Sequence, residues 1–121
     1  MEFHPCGPRK LPALYRKYGL FFYAALLDGF ANCPMEAMAC GSIVVSARNA
    51  GTQYLNSDNS FFFCPGDNRE AIKILCSVLD HWQPESGAWK KRSELAHKTS
   101  LRYDWESTVD QLEAAMRRMV A

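Results

Sequence analysis

Two apolar runs, Leu20-Phe21-Phe22-Tyr23-Ala24 and Ser42-Ile43-Val44-Val45-Ser46, constrain this chain more than any other feature. A strand with one wet face alternates apolar and polar residues. These runs are continuous, the pattern of buried strands covered on both faces, as in a parallel sheet. The β-branched Ile43, Val44 and Val45 favour the pleated conformation. Between the runs, Pro34-Met35-Glu36-Ala37-Met38-Ala39-Cys40 reads as a helix with Pro34 at its first position and Gly41 as its stop. The small Ala37, Ala39 and Gly41 let that helix lie close to the sheet. A strand, a helix and a second parallel strand form a crossover expected to be right-handed. The expected class is therefore α/β, a parallel sheet flanked by helices.

The flanking sequence extends the same scheme. A short strand is expected at Glu2-Phe3, broken by Pro5, Gly7 and Pro8. Leu11-Pro12-Ala13-Leu14-Tyr15 starts a short helix that Gly19 ends as its left-handed cap. Phe61-Phe62-Phe63 is a further strand, and Pro65-Gly66 turns the chain into Asp67-Asn68-Arg69-Glu70, whose first and last members are of capping-box type. Ala71, Ile72, Leu75, Val78, Leu79 and Trp82 then recur at helical spacing as a stripe that would cover the sheet. From about Glu85 two helices follow, separated near Tyr103, the second carrying Val109, Leu112, Met116 and Met119 on one side. The chain of 121 residues suits one domain, with an α/β core over 1–82 and a helical tail over 83–121.

Fourteen basic residues nearly cancelled by thirteen acidic ones, net +1, give no electrostatic reason to expect nucleic acid as a partner. Arg9-Lys10, Arg16-Lys17 and Lys90-Lys91-Arg92 read as solvated helix faces in preference to a contact for anionic lipid heads at a membrane surface. Five cysteines without a Cys-x-x-Cys pair read as reduced thiols, small core residues for the most part. With no spanning apolar stretch and no leader pattern, the expectation is a cytoplasmic protein. The scattered His4, His81 and His97 make no metal set, and Trp82, Trp89 and Trp105 read as packing residues.

In parallel sheets, ligands sit beyond the carboxyl ends of the strands, which here means the loops 25–33 and 47–52. The first holds Asp28, the flexible Gly29 and, one turn inside the helix that follows, Glu36. Unpaired N–H groups at a helix start favour a phosphate-bearing ligand, and a carboxylate can accept from both hydroxyls of a ribose. Two readings of Glu36 stand side by side: a ligand for such a diol, or the third-position acid of a capping box whose cap would be Cys33. Asp28 likewise reads as a site acid or as a turn former before Gly29. Arg48 and Asn49 follow the second strand into the same crevice, where Arg48 is either a phosphate contact or a solvated cation.

Leu11-Pro12-Ala13-Leu14-Tyr15, then Asp28-Gly29-Phe30, Pro34-Met35-Glu36-Ala37-Met38-Ala39-Cys40-Gly41, Val44-Val45 and Pro65-Gly66-Asp67 stand in the order found in family 4 retaining glycosyltransferases. From about residue 11 to 80 the chain resembles the C-terminal, donor-binding domain of that family, and Tyr103-Asp104-Trp105-Glu106 resembles the step that opens its last helix. The resemblance implies part of a GT-B fold, in which two Rossmann-like domains face a cleft, and a nucleoside-diphosphate sugar as the donor, with no metal and no other cofactor. It implies that Glu36 holds the ribose hydroxyls, that Asp28 and Gly29 lie near the donor sugar, and that backbone amides around Phe30, Ala31 and Asn32 face the sugar and diphosphate. Asp28 stands where the family has Glu, and Gly51-Thr52-Gln53-Tyr54 stands where it commonly has Gly-x-Pro-Glu. No segment matches the N-terminal acceptor domain. Sugar transfer is thus expected only together with such a domain or subunit, and no residue here is assigned as catalytic. The competing expectation is a degenerate, non-catalytic donor domain that pairs with another protein, or with its own copy, through an open sheet edge near Glu2-Phe3.

Overall fold

The continuous apolar pattern of Ile43–Ala47 is that of a central strand, and every one of its residues is buried. In a computed structural model, which describes residues 6–121, this strand (β2) lies between Leu20–Tyr23 (β1) and Phe61–Phe63 (β3). Both pairings are parallel, with Leu20 opposite Ile43 and Ala47 opposite Phe63. The strand expected at Glu2-Phe3, and with it the open edge placed there, falls outside the described residues, as does His4.

Side-chain alternation sorts the core into two layers. Val44, with Phe21 beside it, faces Leu11–Tyr18 (α1) and Asn32–Ala39 (α2), where Tyr15, Met35, Ala37 and Met38 close the first layer. Val45, Ala47 and Phe63 face Asn68–Asp80 (α3) through Ala71 and Val78. Gly19 ends α1 with φ of 65°, and its N–H donates to the Tyr15 carbonyl at 3.2 Å. That left-handed residue turns the chain straight into β1.

Several expectations shift in detail. β1 is an edge strand among the described residues, so it is not fully buried: Phe22 keeps 43% of its surface exposed. On α3 the covering stripe is Ala71, Ile74 and Val78, continued by Trp82 just past the helix end, while Ile72 and Leu79 are exposed. One step along a helix rotates a side chain by about 100°, which carries those two past the rim of a three-stranded sheet. Asp67 caps α3 as expected, accepting from the Glu70 N–H at 2.9 Å. Glu70 reaches back to the Cys64 N–H at 2.7 Å, so the box closes on the preceding turn instead of on its own cap.

The helices beyond Glu85 play unequal parts. Gly87–Ser100 (α4) is built into the core: Ala96 is fully buried, the Ser93 hydroxyl donates to Gly41 O at 2.7 Å, and Arg92 donates to the carbonyls of Ser57 and Ser60. Trp82 and Trp89 pack ring to ring at 5.1 Å beneath the sheet. Trp105–Val120 (α5) buries no residue, and its first residue, Trp105, is 84% exposed, contrary to a packing role. The five cysteines are free thiols, but Cys33, Cys64 and Cys76 are exposed, so they are not core residues. Among the described residues no helix is long and apolar enough to cross a membrane.

Candidate functional site

The loops that leave β1 and β2 meet at the carboxyl end of the sheet, and short hydrogen bonds fix the meeting. Asn49 Nδ2 donates to Ala25 O at 2.9 Å, the Ala31 N–H donates to Gly51 O at 2.9 Å, and the Tyr54 hydroxyl donates to Ala31 O. Asn49 also caps the short turn Ala50–Thr52, its side chain accepting from the Gly51 N–H while its own N–H donates to Thr52 Oγ1. Gly51 is needed there for space. A Cβ on it would lie 2.8 Å from the Asp28 carbonyl oxygen and 2.9 Å from the Asp28 carbonyl carbon.

Ala31 is held from two sides, and this moves the start of α2. The helix begins at Asn32 with Ala31 as its cap, two residues ahead of the start suggested by Pro34. Pro34 is thus the third helical residue, a place where its missing N–H has no intrahelical acceptor to lose. Cys33 is then not the cap, and Glu36 is the fifth helical residue. The capping-box reading of Glu36 falls with that shift, because a box needs its acid at the third position. No side chain caps α2. The Phe30 N–H donates to Asp28 Oδ1 at 3.1 Å and the Ala31 N–H is taken by Gly51, which leaves the amides of Asn32 and Cys33 as the donors at the helix start without an acceptor among the described residues.

Glu36 is exposed and opens on a hollow of about 330 Å³ lined by Pro8, Leu11, Pro12, Tyr15, Ala39 and Cys40. The Tyr15 hydroxyl donates to Glu36 Oε2 at 3.3 Å, and among the described residues no other group hydrogen-bonds this carboxylate. Asp28 is half-buried, and its two oxygens are engaged by the Phe30 N–H and by the hydroxyl of Tyr23. Phe21 links the two tyrosines, edge-on to Tyr15 at 5.4 Å and stacked on Tyr23 at 6.4 Å. Each acid thus has its own tyrosine, and one aromatic row spans the distance between them. The sequence alone singles out neither tyrosine; the one signal it holds is the alternation that puts Phe21 and Tyr23 on a single sheet face.

Burial first, and then the neighbouring Glu36, push the Tyr15 phenol up to about 12. The hydrogen bond to Asp28 is the main cause of a rise to about 12 for Tyr23. Burial chiefly raises Tyr54 as well. All three stay neutral donors at ordinary pH. The folded-state values of Tyr15 and Tyr23 exceed the unfolded value of 10.0, so the stability tied to them is fully present below pH 10 and is lost as pH rises toward about 12. Alkaline titration followed by tyrosinate absorbance should show three phenols ionising late, those of Tyr15, Tyr23 and Tyr54, together with loss of helical signal. Tyr15→Phe should remove one of the late ionisations. A wild-type chain whose tyrosines all titrate near 10 would contradict the arrangement.

Arg48 is exposed, and its guanidinium lies over the Phe62 ring on β3, 4.5 Å from the centroid. Asn49 turns inward to Ala25. His81 and His97 each meet a main-chain carbonyl, of Ser77 and Ala39 respectively. The Asp28 loop, the uncapped helix start and the Gly51 turn are therefore brought together, while Glu36 opens on its own hollow and the Arg48 guanidinium lies on Phe62 of the neighbouring strand.

A family model described as "Glycosyl transferases group 1" matches residues 2–81. The chain belongs to the group 1 glycosyltransferases. That match takes in β1, α2 and β2 with both loops of the site, and all of α3. A sucrose synthase of Melioribacter roseus is 29% identical over 91 residues, covering 73% of this chain and 12% of that protein. This glycosyltransferase chain therefore spans only a small fraction of the length of that relative. The three-stranded parallel sheet with helices on both faces is the Rossmann-like α/β architecture that the family resemblance implied.

Proposed function

We propose that this domain holds the nucleoside-diphosphate end of a glycosyl donor, and that it serves sugar transfer together with an acceptor-binding domain or subunit. The observation that carries this reading is Glu36, an exposed carboxylate on the rim of a largely apolar hollow and one helical turn from two open amides. In this reading Glu36 accepts from the ribose hydroxyls while Tyr15 holds its second oxygen in place. The apolar floor made by Pro8, Leu11 and Pro12 receives the base. The N–H groups of Asn32 and Cys33, at the positive end of α2, face the diphosphate. Fixed donors of this kind stabilise a departing diphosphate without reorganising and without a metal ion. Asp28, Gly29, Phe30 and Ala31 form the loop beside the donor sugar. Arg48 reaches the diphosphate only by leaving Phe62.

A panel of UDP, GDP and ADP followed by thermal melting tests this directly. A ligand at a hundred times its dissociation constant stabilises a fold by about 2.7 kcal/mol, a shift of several degrees for a domain of this size. At least one of the three is expected to raise the melting temperature, and no response to any of them at millimolar concentration would remove the reading.

A second reading, a non-catalytic module that pairs with another protein, is favoured by α5, whose Val109, Leu112, Met116 and Met119 are all about half exposed or more. A stable oligomer blind to nucleotides on size-exclusion chromatography would favour it over the first.

A further inference from the structure

The loop 24–31 joins the end of β1 to the first turn of α2, and its own packing is sparse: Leu26 and Leu27 are 61% and 87% exposed, and a Cβ on Gly29 meets nothing within 4 Å. A few ties hold it in place. Ala25 O accepts from Asn49 Nδ2, and Ala31 is bonded through its N–H to Gly51 O and through its carbonyl to the Tyr54 hydroxyl. The Phe30 ring packs against Tyr54 at 5.7 Å and Tyr103 at 5.5 Å, at the edge of a hollow of about 340 Å³ that it lines with Asn32, Tyr103, Trp105 and Thr108. Between Ala25 and Phe30, the hydrogen bonds among the described residues are those of Asp28.

Asp28 binds in both directions along the chain. Its Oδ2 accepts from the hydroxyl of Tyr23, the last residue of β1, and its Oδ1 accepts from the Phe30 N–H at 3.1 Å. Tyr23 is itself fixed, with Ser46 opposite it in the sheet and its ring stacked on Phe21 at 6.4 Å. The rigid end of the sheet is thus carried through one phenol and one carboxylate to the backbone of Phe30, two residues before Asn32. Hydrogen bonds to an ionised acceptor are the stronger kind. The phenol keeps its proton at neutral pH, because the bond to Asp28 raises Tyr23 to about 12.

The same engagement bears on the two readings of Asp28, site acid or turn former. A carboxylate that receives a sugar hydroxyl needs an oxygen aimed into open space. Both oxygens of Asp28 are turned to groups of its own chain, and the residue lines neither the Glu36 hollow nor the one beside Phe30. A free negative charge at this place would also repel a diphosphate. Two accepted hydrogen bonds instead hold it against the loop. Asp28 is a turn former, and the turn it forms leads into the Asn32 and Cys33 amides.

We infer that Tyr23 is a positioning residue for the donor site: acting through Asp28, it fixes the loop that presents the Asn32 and Cys33 amides to the diphosphate, and Asp28 is the link and not a sugar contact. The inference rests on the donor-site reading above. The test uses the whole 121-residue chain, ¹⁵N-labelled, as wild type and as Tyr23→Phe, Asp28→Ala and Asp28→Asn. Each protein is titrated with UDP, GDP and ADP, and with UDP-glucose, GDP-mannose and ADP-glucose. Tyr23→Phe keeps the ring on Phe21, so the chain should stay folded; without ligand, its Asn32 and Cys33 amide signals should move while those of α3 stay still. Affinity for the best-bound nucleoside diphosphate should fall about three- to tenfold, and affinity for its sugar nucleotide by the same factor, since both carry the diphosphate. Asp28→Ala should lose at least as much. Asp28→Asn should recover most of that loss, because its oxygen can accept from the Phe30 N–H and its NH₂ can donate to the phenol oxygen. Losses confined to the sugar nucleotides would make Asp28 a sugar contact and overturn the inference. So would Asn32 and Cys33 signals that Tyr23→Phe leaves unmoved, or an Asp28→Asn chain no better than Asp28→Ala. Nucleotide binding unaltered in both Tyr23→Phe and Asp28→Ala would keep the donor site and remove the positioning role. A wild type that binds no nucleotide would remove the donor-site reading, and the amide signals would then decide by themselves whether Tyr23 fixes the start of α2.

Discussion

Glu36→Ala is expected to weaken nucleoside-diphosphate binding by roughly one to two orders of magnitude while leaving the chain folded. Hydrogen bonds to a charged group are worth about 1.5–3 kcal/mol, and each 1.4 kcal/mol is about a factor of ten in affinity. The side chain is exposed and its one hydrogen-bond partner among the described residues is the Tyr15 hydroxyl, which the open hollow leaves accessible to water after truncation. The stability change should therefore stay within about 0.5 kcal/mol. Glu36→Gln keeps one acceptor oxygen and should lie between. Tyr15→Phe should act in the same direction but more weakly, because it removes only the group that orients the carboxylate. Calorimetric titration of the four proteins with the best-bound nucleotide reads these differences, and a Glu36→Ala variant that binds like the wild type would leave the helix-start site without its central group.

The second large effect is expected at Gly51→Ala, where the damage is to structure first. The added methyl would lie 2.8–2.9 Å from the backbone and Cβ of Asp28. That backbone has little freedom, because the Asp28 carboxylate is engaged by Phe30 and Tyr23 and the Ala31 N–H is bonded to Gly51 O. Overpacking of this kind costs about 1–3 kcal/mol and more where nothing can yield. Relieving it by separating the loops would break the Ala31–Gly51 bond that sets the first residue of α2. Nucleotide affinity should therefore fall together with the denaturation midpoint. Gly29→Ala is the matched control in the same loop: a Cβ there meets nothing within 4 Å, and its φ is not positive. A Gly51→Ala chain as stable as Gly29→Ala would show that the two loops are less tightly joined than their hydrogen bonds imply.

The start of α2 shows where local pattern stops being informative. Pro34 is a sound signal for a first turn, yet the helix begins at Asn32 because Ala31 is held by Gly51 and Tyr54, residues twenty or more positions away. The same displacement moves Glu36 out of the capping position and removes one of the two readings that the residue types alone leave open. Phe22, Ile72, Leu79 and Trp105 carry the signature of covered residues and are open to solvent, because apolar periodicity records which face a side chain shares, not whether anything lies opposite it. Tyr15 and Tyr23 are silent in the sequence for a related reason: a hydroxyl's partner is a matter of distance across the fold.

By itself the sequence determined the order of elements, the parallel pairing implied by unbroken apolar strands, the left-handed stop at Gly19 and the group 1 resemblance carried by the run from Pro34 to Gly41. Those features are encoded within a few residues, in the period of the pattern and the φ that a residue tolerates. Only the tertiary structure decided which amides remain open at α2, that each acid is held by its own tyrosine, and that Phe30 gathers with Tyr54, Tyr103 and Trp105 around one pocket. These depend on segments remote in sequence meeting at specific distances, and no local pattern carries that information.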